Sequence, residues 1–337
     1  QCDHCIDKEL LNTSQILNFD YIKTLIINWR KGGLKSVILI GGGEPTIYPY
    51  FEEVVKFLKN LSLQAGIVSN GSLIEKIKNI CNLLNQRDWI RFSLDAGTNE
   101  SFQKIHRPRL NITLERILQN VKEMHKTNPV LQIGFSFLII GDNKYVNSIP
   151  LINNIKEISL AAKAAKENGF SYLSLKPFIC PEGERVTEMS DKNLQEIKKQ
   201  IREAKKFEDE YFKVIESVNL LALFDKDLYS TMQNQAKVCH AQFFRSVVIP
   251  GGIFQCSLWR GFDNAKIIDT NQKITGGYYQ KFHQNRIAMI DNFNAKKICR
   301  QTLCLYAPLN EWIEDLIIHP DKLKKLKPID DFNDYFL

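Results

Sequence analysis

Apolar residues recur along this chain in two spacings that alternate with one another. In segments such as Phe51–Asn60 and Thr113–Lys126 they return every three or four residues, which is the spacing of a helix with one buried face. Between such segments lie short runs of branched apolar residues, for example Ser36–Ile40 (SVILI). A continuous run of this kind is typical of a parallel strand that is buried on both faces of its sheet. The pattern therefore predicts repeated strand–helix units and an α/β fold with a parallel sheet.

The same pattern gives approximate bounds for the elements and domains. The predicted helices are Ser14–Arg30, Phe51–Asn60, Ser72–Leu84, Thr113–Lys126 and Ser148–Asn168. The predicted strands are Ser36–Ile40, Ala65–Ser69, Ile90–Leu94, Leu131–Ile140 and Tyr172–Phe178. Farther along, β-rich arms around Pro250-Gly251-Gly252 predict a hairpin. We therefore expect a sheet domain at 1–190, a helical bridge at 191–235, a small α+β domain at 236–320 and a tail at 321–337.

Length and composition are those of an ordinary globular enzyme. With 337 residues the chain can bury a large core and form two domains. The formal charge of +7 is spread over lysines that alternate with acidic residues, as in Asp191–Lys213, so solvated helix faces are favoured over a nucleic-acid site. No apolar run approaches the roughly 18 residues that a membrane span needs. The eight cysteines favour a reducing cytoplasm over a disulfide scaffold.

The most specific chemical signal stands at the start of the printed sequence. Cys2 and Cys5 are separated by two residues, and about forty residues later Gly41-Gly42-Gly43-Glu44-Pro45 follows a predicted buried strand. The cysteine pair alone would favour a zinc knuckle or a redox pair. Together the two segments resemble the signature of the radical S-adenosylmethionine (SAM) superfamily, C-x3-C-x2-C with a GGEP-type segment after the next strand. Cys2 and Cys5 match its second and third cysteines, so the resemblance implies that the first cysteine and a strand precede Gln1.

The resemblance implies a fold, two cofactors and a partner. The fold would be a partial parallel (β/α)6 barrel, in which the upstream strand and the five predicted strands make six. Three cysteines would hold a [4Fe–4S] cluster and leave one iron open for SAM. Reductive cleavage of SAM would give a 5′-deoxyadenosyl radical that abstracts a hydrogen atom from a substrate carbon. The electron would come from a reducing partner such as flavodoxin or ferredoxin.

Candidate SAM contacts follow the ends of the predicted strands, because ligands of such barrels bind there. Glu44 or the carbonyls beside it can accept from the methionyl ammonium, and Arg107 can pair with the SAM carboxylate. A surface ion pair is the alternative for Arg107, and His4 stands where the family prefers an aromatic side chain near the adenine. The full set implied by the resemblance is Gly42, Gly43, Glu44, Pro45, Ser69, Asn70, Ser93, Asp95, Arg107 and His4.

A second set of cysteines lies in the last third of the chain. Cys239 and Cys256 flank the predicted hairpin, and Cys299 and Cys304 precede a predicted amphipathic helix at Leu309–Ile318. This arrangement resembles the twitch domain, the shortened form of the SPASM domain, and implies a second, auxiliary [4Fe–4S] cluster. A structural zinc site is the alternative, since four-cysteine zinc sites also tolerate long gaps.

Two cysteines remain outside these sets. Cys81 falls within a helical pattern and is expected to be a buried apolar residue. Cys180 follows the last predicted strand at the expected barrel mouth, where a thiol could return a hydrogen atom to a substrate radical as the catalytic residue of an epimerase. An inert loop cysteine is the alternative. Glu182 and Glu184 beside it could act as bases or hold a polar substrate, with surface solvation as the alternative.

The choice of reaction rests on the second cysteine set. An auxiliary cluster can accept the electron left on a substrate radical, so the resemblance favours oxidation of a small polar metabolite of the sugar or cyclitol type. The alternative activity is modification of a ribosomal peptide by thioether formation, epimerisation or crosslinking. A cluster-bearing binding or scaffold protein without SAM chemistry is the non-enzymatic alternative, and the intact Gly42-Gly43-Glu44-Pro45 segment argues against it.

Overall fold

The computed structural model describes residues 2–5, 15–108, 111–146, 148–180, 185–186, 189–270, 274–299 and 302–327, with the backbone alone at 179–180 and 185–186. The chain divides into two compact units. One is formed from residues 1–11 and 35–224, and the other from residues 12–34 and 225–337. In the described ranges, no helix is both long and apolar enough to cross a bilayer.

The described strands are numbered in sequence order. They are β1 (Ser36–Leu39), β2 (Gln64–Ser69), β3 (Trp89–Ser93), β4 (Gln132–Ile139), β5 (Tyr145–Val146), β6 (Ile149–Pro150), β7 (Tyr172–Pro177), β8 (Ile179–Cys180), β9 (Arg185–Val186), β10 (Lys213–Glu216), β11 (Val247–Ile249), β12 (Gly252–Phe254) and β13 (Lys266–Ile268).

The described α-helices are numbered in the same way. They are α1 (Phe19–Lys31), α2 (Phe51–Asn60), α3 (Ile74–Ile80), α4 (Asn99–His106), α5 (Leu114–Thr127), α6 (Ile158–Glu167), α7 (Asp191–Lys205), α8 (Val218–Ala222), α9 (Lys226–Gln233), α10 (Ala241–Phe244), α11 (Tyr278–Asn292), α12 (Ala295–Ile298) and α13 (Ala307–Ile318).

A six-stranded parallel sheet forms the centre of the first unit. Its strand order is β1-β2-β3-β4-β7-β10, and every neighbouring pair runs parallel. At least one helix lies between each pair of consecutive strands of this sheet, as parallel pairing requires. The predicted α/β fold with a six-stranded parallel sheet is thereby confirmed.

The two faces of this sheet differ in polarity. Ile90 and Phe92 of β3 are fully buried, as are Phe135 and Phe137 of β4. Helices cover this face, with α2 against β2 and α6 against β4 and β7. Successive side chains of a strand point to opposite faces, so Arg91 lies on the other one. We call the face that carries Arg91 the inner face.

One predicted helix begins later than expected. The pattern predicts a helix from Ser148, but α6 starts at Ile158. Pro150 pairs with Tyr145 in the short β5–β6 ladder. The Asn154 side chain accepts from the Ile140 amide at 2.8 Å. Part of the segment before Ile158 therefore forms hydrogen bonds with strand residues instead of the hydrogen bonds of a helix.

One strand of the sheet was not predicted from the sequence. β10 lies in the interval predicted to be a helical bridge, and it pairs with β7. In this four-residue strand only Val214 is buried. A strand so short, with charged residues at both ends, has no clear hydrophobic period. The strand expected before Gln1 stays a prediction.

The second unit contains a small antiparallel sheet with the order β11-β12-β13. The predicted hairpin is present as β11 and β12, joined through Pro250 and Gly251. Helix α1 supplies Leu25 to the core of this unit. The other buried members of that core are Ile253, Ile267, Ile268, Tyr278 and Phe282.

Candidate active site

The turn that carries Cys2 and Cys5 is attached to residues that follow β3. The Cys5 amide donates to the Cys2 carbonyl at 3.4 Å. The sulfur of Cys2 lies 3.2 Å from Nδ1 of His106, whose Nε2 lies 2.8 Å from the carbonyl oxygen of Leu94. Because a carbonyl can only accept, Nε2 carries the imidazole proton and Nδ1 is free to accept from the thiol. His106 thereby fixes the cysteine turn at the carboxyl end of β3.

Asp95 is a buried carboxylate between two imidazoles, with 4% of the residue exposed. Its Oδ2 lies 3.4 Å from Nε2 of both His4 and His106, and its Oδ1 accepts from the Leu138 amide at 2.7 Å. Burial raises the pKa of Asp95, but the hydrogen bond from His4, the charges of His106 and His4 and the Leu138 N–H lower that pKa by more. Asp95 is therefore ionised at neutral pH. The structure brings the predicted residues His4 and Asp95 together, while their contact with SAM stays a prediction.

The ionisation of Cys2 depends on what binds it. Burial raises the pKa of the Cys2 thiol to about 12, and the negative charge of Asp95 adds to the increase. Without a metal the thiol is protonated at neutral pH. Iron binds the thiolate, so ligation by Cys2 would release this proton. Half-buried thiols on one turn fit a cluster that takes its cysteines from a short loop.

Arg107 pairs with an acidic residue of the cysteine turn. Its guanidinium nitrogens lie 2.5 Å and 3.2 Å from the two carboxylate oxygens of Asp3. The Arg107 side chain is 56% exposed, so solvent screens the pair, which contributes about 1 kcal/mol or less. This is the ion pair weighed as the alternative for Arg107, and contact with the SAM carboxylate stays a prediction.

The glycine segment after β1 makes a turn that side chains would block. Gly41 and Gly43 form an isolated antiparallel bridge across Gly42. A Cβ at Gly41 would lie 2.7 Å from the backbone of Gly43, and Gly43 itself has a φ of +147°. Pro45 then opens a 3₁₀ segment capped by Glu44. The small residues therefore hold the backbone in an open turn at the end of β1, as a closely approaching ligand requires.

Glu44 ties this turn to the end of the neighbouring strand. Its Oε1 accepts from the hydroxyls of Thr46 at 2.7 Å and Ser69 at 2.8 Å. Its Oε2 accepts from the Asn70 amide at 2.7 Å. The residue is 8% exposed, so the carboxylate is largely satisfied by the chain itself. A SAM contact by Glu44 or its neighbouring carbonyls stays a prediction.

Ser69 and Asn70 also serve the local backbone. The Ser69 hydroxyl accepts from the Gly71 amide at 3.0 Å, and Oδ1 of Asn70 accepts from the Ser72 amide at 2.8 Å. These bonds shape the turn after β2. Contact of either side chain with SAM stays a prediction.

Glu44→Ala is expected to destabilise the protein by about 3 kcal/mol, because it leaves several buried donors without an acceptor. Urea unfolding of the two proteins measures the difference. Glu53→Ala, at an exposed position of α2, is the matched control and should change stability by less than about 0.5 kcal/mol. If Glu44→Ala retained wild-type stability and iron but lost SAM affinity, the carboxylate would be a ligand contact and not a structural one.

Ser93 lies on the inner face with two other serines. It is in register with Ser136 of β4, which is in register with Ser174 of β7. Paired residues of a parallel sheet project to the same face, so three hydroxyl-bearing side chains cross the inner face in one row. We call these residues the serine row.

The predicted catalytic cysteine is described only through its backbone. Cys180 belongs to β8 and pairs with Arg185 of β9. Its side chain lies outside the described residues, as do Glu182 and Glu184. The hydrogen-donor role of Cys180 stays a prediction.

The four cysteines of the second unit share one neighbourhood. Burial raises the pKa of the Cys299 thiol to about 12, and the charges of Cys304, Cys256 and Cys239 add to that increase. Burial likewise raises the pKa of Cys304 to about 11, again with contributions from Cys256 and Cys239. Such mutual effects require the sulfur atoms to be close in space, although their positions in the sequence are far apart.

Two side chains direct N–H groups at these sulfurs. The Asn310 amide donates to Cys239 at 3.7 Å, and the Arg245 guanidinium donates to Cys256 at 3.8 Å. Arg245 also lies 4.1 Å from the centre of the Tyr306 ring. N–H groups of this kind stabilise thiolates and tune metal centres, so the donor set fits a group held by sulfur. Across the described ranges, no three His, Cys, Asp or Glu side chains are placed to hold a single metal ion.

Three residues of the first unit were not singled out from the sequence. His106 stands beside Arg107, but nothing in the sequence shows that it reaches Cys2. Arg91 and Lys176 each stand between apolar neighbours in a predicted strand. A basic residue in such a run was the only feature of the sequence that could have pointed to them. A basic residue within an apolar strand can be assigned to a polar face of the sheet only when the register of the neighbouring strands is known.

Comparisons with known proteins agree with this geometry. Residues 1–145 match the family model described as the Radical SAM superfamily. A protein named S-adenosylmethionine-dependent nucleotide dehydratase, from a Thermoplasmatales archaeon, is 32% identical over 126 residues, which cover 37% of this chain and 44% of that protein. The match thus spans less than half of that relative.

Solved structures show a similar fold over more of the chain. The crystal structure of Streptococcus suis SuiB has a TM-score of 0.59 and 14% sequence identity, covering 83% of this chain and 62% of that one. SuiB bound to its precursor peptide SuiA gives a TM-score of 0.58 at 14% identity, covering 83% of this chain and 61% of that one. Residues 1–145 are therefore similar to the radical SAM superfamily, and the α/β fold of the chain is similar to that of SuiB.

Proposed function

We propose that this protein cleaves SAM reductively and uses the resulting radical to oxidise a small polar metabolite. The observation that carries the proposal is the cysteine turn, which His106 holds at the carboxyl end of β3 within the residues that match the superfamily model. Ligands of parallel α/β barrels bind at this end of the strands. The buried Asp95–His4 pair lies at the same place.

The residues present divide into cluster ligands and SAM contacts. Cys2 and Cys5 would bind iron of the first [4Fe–4S] cluster, and the open turn Gly42-Gly43-Glu44-Pro45 would approach SAM. With both groups bound, the site supplies a 5′-deoxyadenosyl radical that abstracts hydrogen from the substrate. Asp95 stays ionised and orients the His4 ring, while His106 holds Cys2 at the end of the sheet.

An auxiliary [4Fe–4S] cluster is the proposed occupant of the second cysteine set. A zinc ion would draw four sulfurs to about 2.3 Å from one point, whereas a four-iron cluster binds each thiolate on a separate iron. The charges of Cys304, Cys256 and Cys239 all raise the pKa of Cys299, which supports one sulfur-bound group shared by the four thiols, and the resemblance to the twitch domain favours the cluster. Such a cluster can take the electron left after hydrogen abstraction, so oxidation is the reaction we favour over peptide modification.

The direct test is SAM cleavage by the anaerobically reconstituted full-length protein. With dithionite as the reductant, we expect 5′-deoxyadenosine by liquid chromatography and mass spectrometry. A protein that binds both clusters yet forms no deoxyadenosine would support the scaffold alternative. Conversion of a peptide substrate, with no turnover of polyols or sugars, would support the peptide-modifying alternative.

A further inference from the structure

Two aromatic side chains, Trp89 and Tyr172, lie beside Arg91 on the inner face of the first unit. Trp89 is in register with Gly66, and a Cβ at Gly66 would lie 2.5 Å from the Trp89 ring. Tyr172 is in register with Gly134, where a Cβ would overlap its ring. The two glycines therefore leave room for two aromatic rings, and Arg91, in register with Gly134, lies between them.

Arg91 is a largely buried cation that lacks an anionic partner in the described residues. The Arg91 guanidinium lies 5.4 Å from the centre of the Trp89 ring. Its Nε is buried without a hydrogen-bond partner in the described part of the chain. Burial lowers the pKa of Arg91, which nevertheless stays charged at neutral pH. A buried cation without an anion is costly, so such sites are normally completed by a ligand or a counter-ion.

Lys176 places a second basic group on the same face. It lies four residues beyond Tyr172 on β7 and is in register with Leu138. Burial and, to a smaller extent, the charge of Arg91 lower the pKa of Lys176 to about 7, although Asp95 acts in the opposite direction. Lys176 is thus close enough to interact electrostatically with both Arg91 and Asp95. The described ion pairs include none made by Lys176, while Asp95 is engaged by His4 and His106.

The serine row lies between these two basic groups. Ser93 follows Arg91 by two residues on β3, and Ser174 precedes Lys176 by two residues on β7. We infer that Arg91, Lys176 and the serine row bind an anionic group of the substrate, a carboxylate or a phosphate. This inference rests on the proposed function, because it gives the proposed polar substrate a negative charge and a fixed orientation.

The carboxylate of SAM is the other anion that this face could receive. Arg91 lies within β3, two residues before its end, whereas Asp95 lies two residues beyond that end. The cysteine turn contacts Asp95 and the residues beyond it, and none of its recorded contacts is with Arg91. Arg91 therefore lies deeper along β3 than Asp95 and the cysteine turn, which favours the substrate as the source of the anion. Ser93, a predicted SAM contact, lies between the two levels.

The inference can be tested by binding of simple anions without any reductant. The probes are sodium phosphate and, separately, sodium acetate, titrated into the reconstituted full-length protein by calorimetry at constant ionic strength. We expect millimolar dissociation constants for at least one probe, weakened about tenfold or more in Arg91→Gln and in Lys176→Gln. Lys122→Gln, at an exposed position of α5, is the matched control and should bind like the wild type. Arg91→Lys should retain binding if charge is the determinant.

Each result either identifies the anionic group of the substrate or contradicts the proposed anion site. Phosphate binding alone indicates a phosphorylated substrate, and acetate binding alone indicates a carboxylate. The inference fails if neither probe binds the wild type, or if the folded double variant Arg91→Gln/Lys176→Gln binds as the wild type does. It also fails if SAM affinity falls as steeply as anion affinity, because the pair would then serve the SAM carboxylate. Absence of deoxyadenosine would count against the proposed function and leave the anion result standing.

Discussion

Cys5→Ala is expected to abolish deoxyadenosine formation and to lower the iron content from about eight to about four atoms per chain. Cys5 lies on the turn that His106 attaches to the end of β3 through Cys2, so its removal takes one ligand from the cluster that binds SAM. The iron that remains should belong to the cysteines of the second unit. Iron and sulfide analysis, together with a deoxyadenosine assay of the reduced protein, measures both effects.

The matched control for this variant is Cys81→Ala. Cys81 is 1% exposed, and its thiol donates to the Met124 carbonyl at 3.9 Å in the core of the first unit. Its replacement should cost about 1 kcal/mol of stability and leave iron and SAM cleavage unchanged. If Cys5→Ala kept substantial deoxyadenosine formation, the turn would not carry the SAM-binding cluster.

Strands with a continuous or an alternating run of apolar residues were predictable from the sequence almost to the residue. The run Ser36–Ile40 became β1 at Ser36–Leu39, and Ile90–Leu94 became β3 at Trp89–Ser93. The predicted burial of the Ser36–Ile40 run on both faces is not observed, because β1 is an edge strand whose residues are half-buried or exposed, and β3 alternates between buried and half-buried positions. β10 was not predictable, because one buried residue in a four-residue strand carries no period. Its place in the sheet depends on pairing with β7.

The candidate site was predictable as a set of residues but not as a set of contacts. Cys2, Asp95 and His4 each stand in or beside a recognisable segment. The bond between Cys2 and His106 joins residues 104 positions apart, and only the packing of α4 against the end of β3 creates it. The neighbours of Arg91 on the inner face likewise depend on the register of the adjacent strands. Sequence patterns report local preferences, whereas these contacts arise from tertiary structure.

The double variant Cys239→Ala/Cys256→Ala is expected to lose about four of eight irons yet keep much of its deoxyadenosine formation, the converse of Cys5→Ala. Cys239 and Cys256 accept hydrogen bonds from Asn310 and Arg245, respectively. The double variant therefore removes the two proposed iron ligands of the second unit that have N–H donors. Asn310→Ala is the companion variant that removes no ligand, although it removes both the donor to Cys239 and the acceptor of the Ala241 amide. Retention of all iron by the double variant would rule out an auxiliary cluster at these cysteines.

The same second set decides which product forms. If an auxiliary cluster takes the substrate electron, then Cys299→Ala or Cys304→Ala should still allow deoxyadenosine formation but suppress the oxidised product, and Cys180→Ala should have little effect. The wild-type product should be two hydrogen atoms lighter than its substrate and should carry no deuterium from heavy water at the reacting carbon. If Cys180 instead returns a hydrogen atom, its replacement should allow abstraction but block inversion. A product of unchanged mass that gains one solvent deuteron in heavy water would therefore exclude oxidation, because a hydrogen from a group that exchanges with solvent would then have been returned to the substrate carbon.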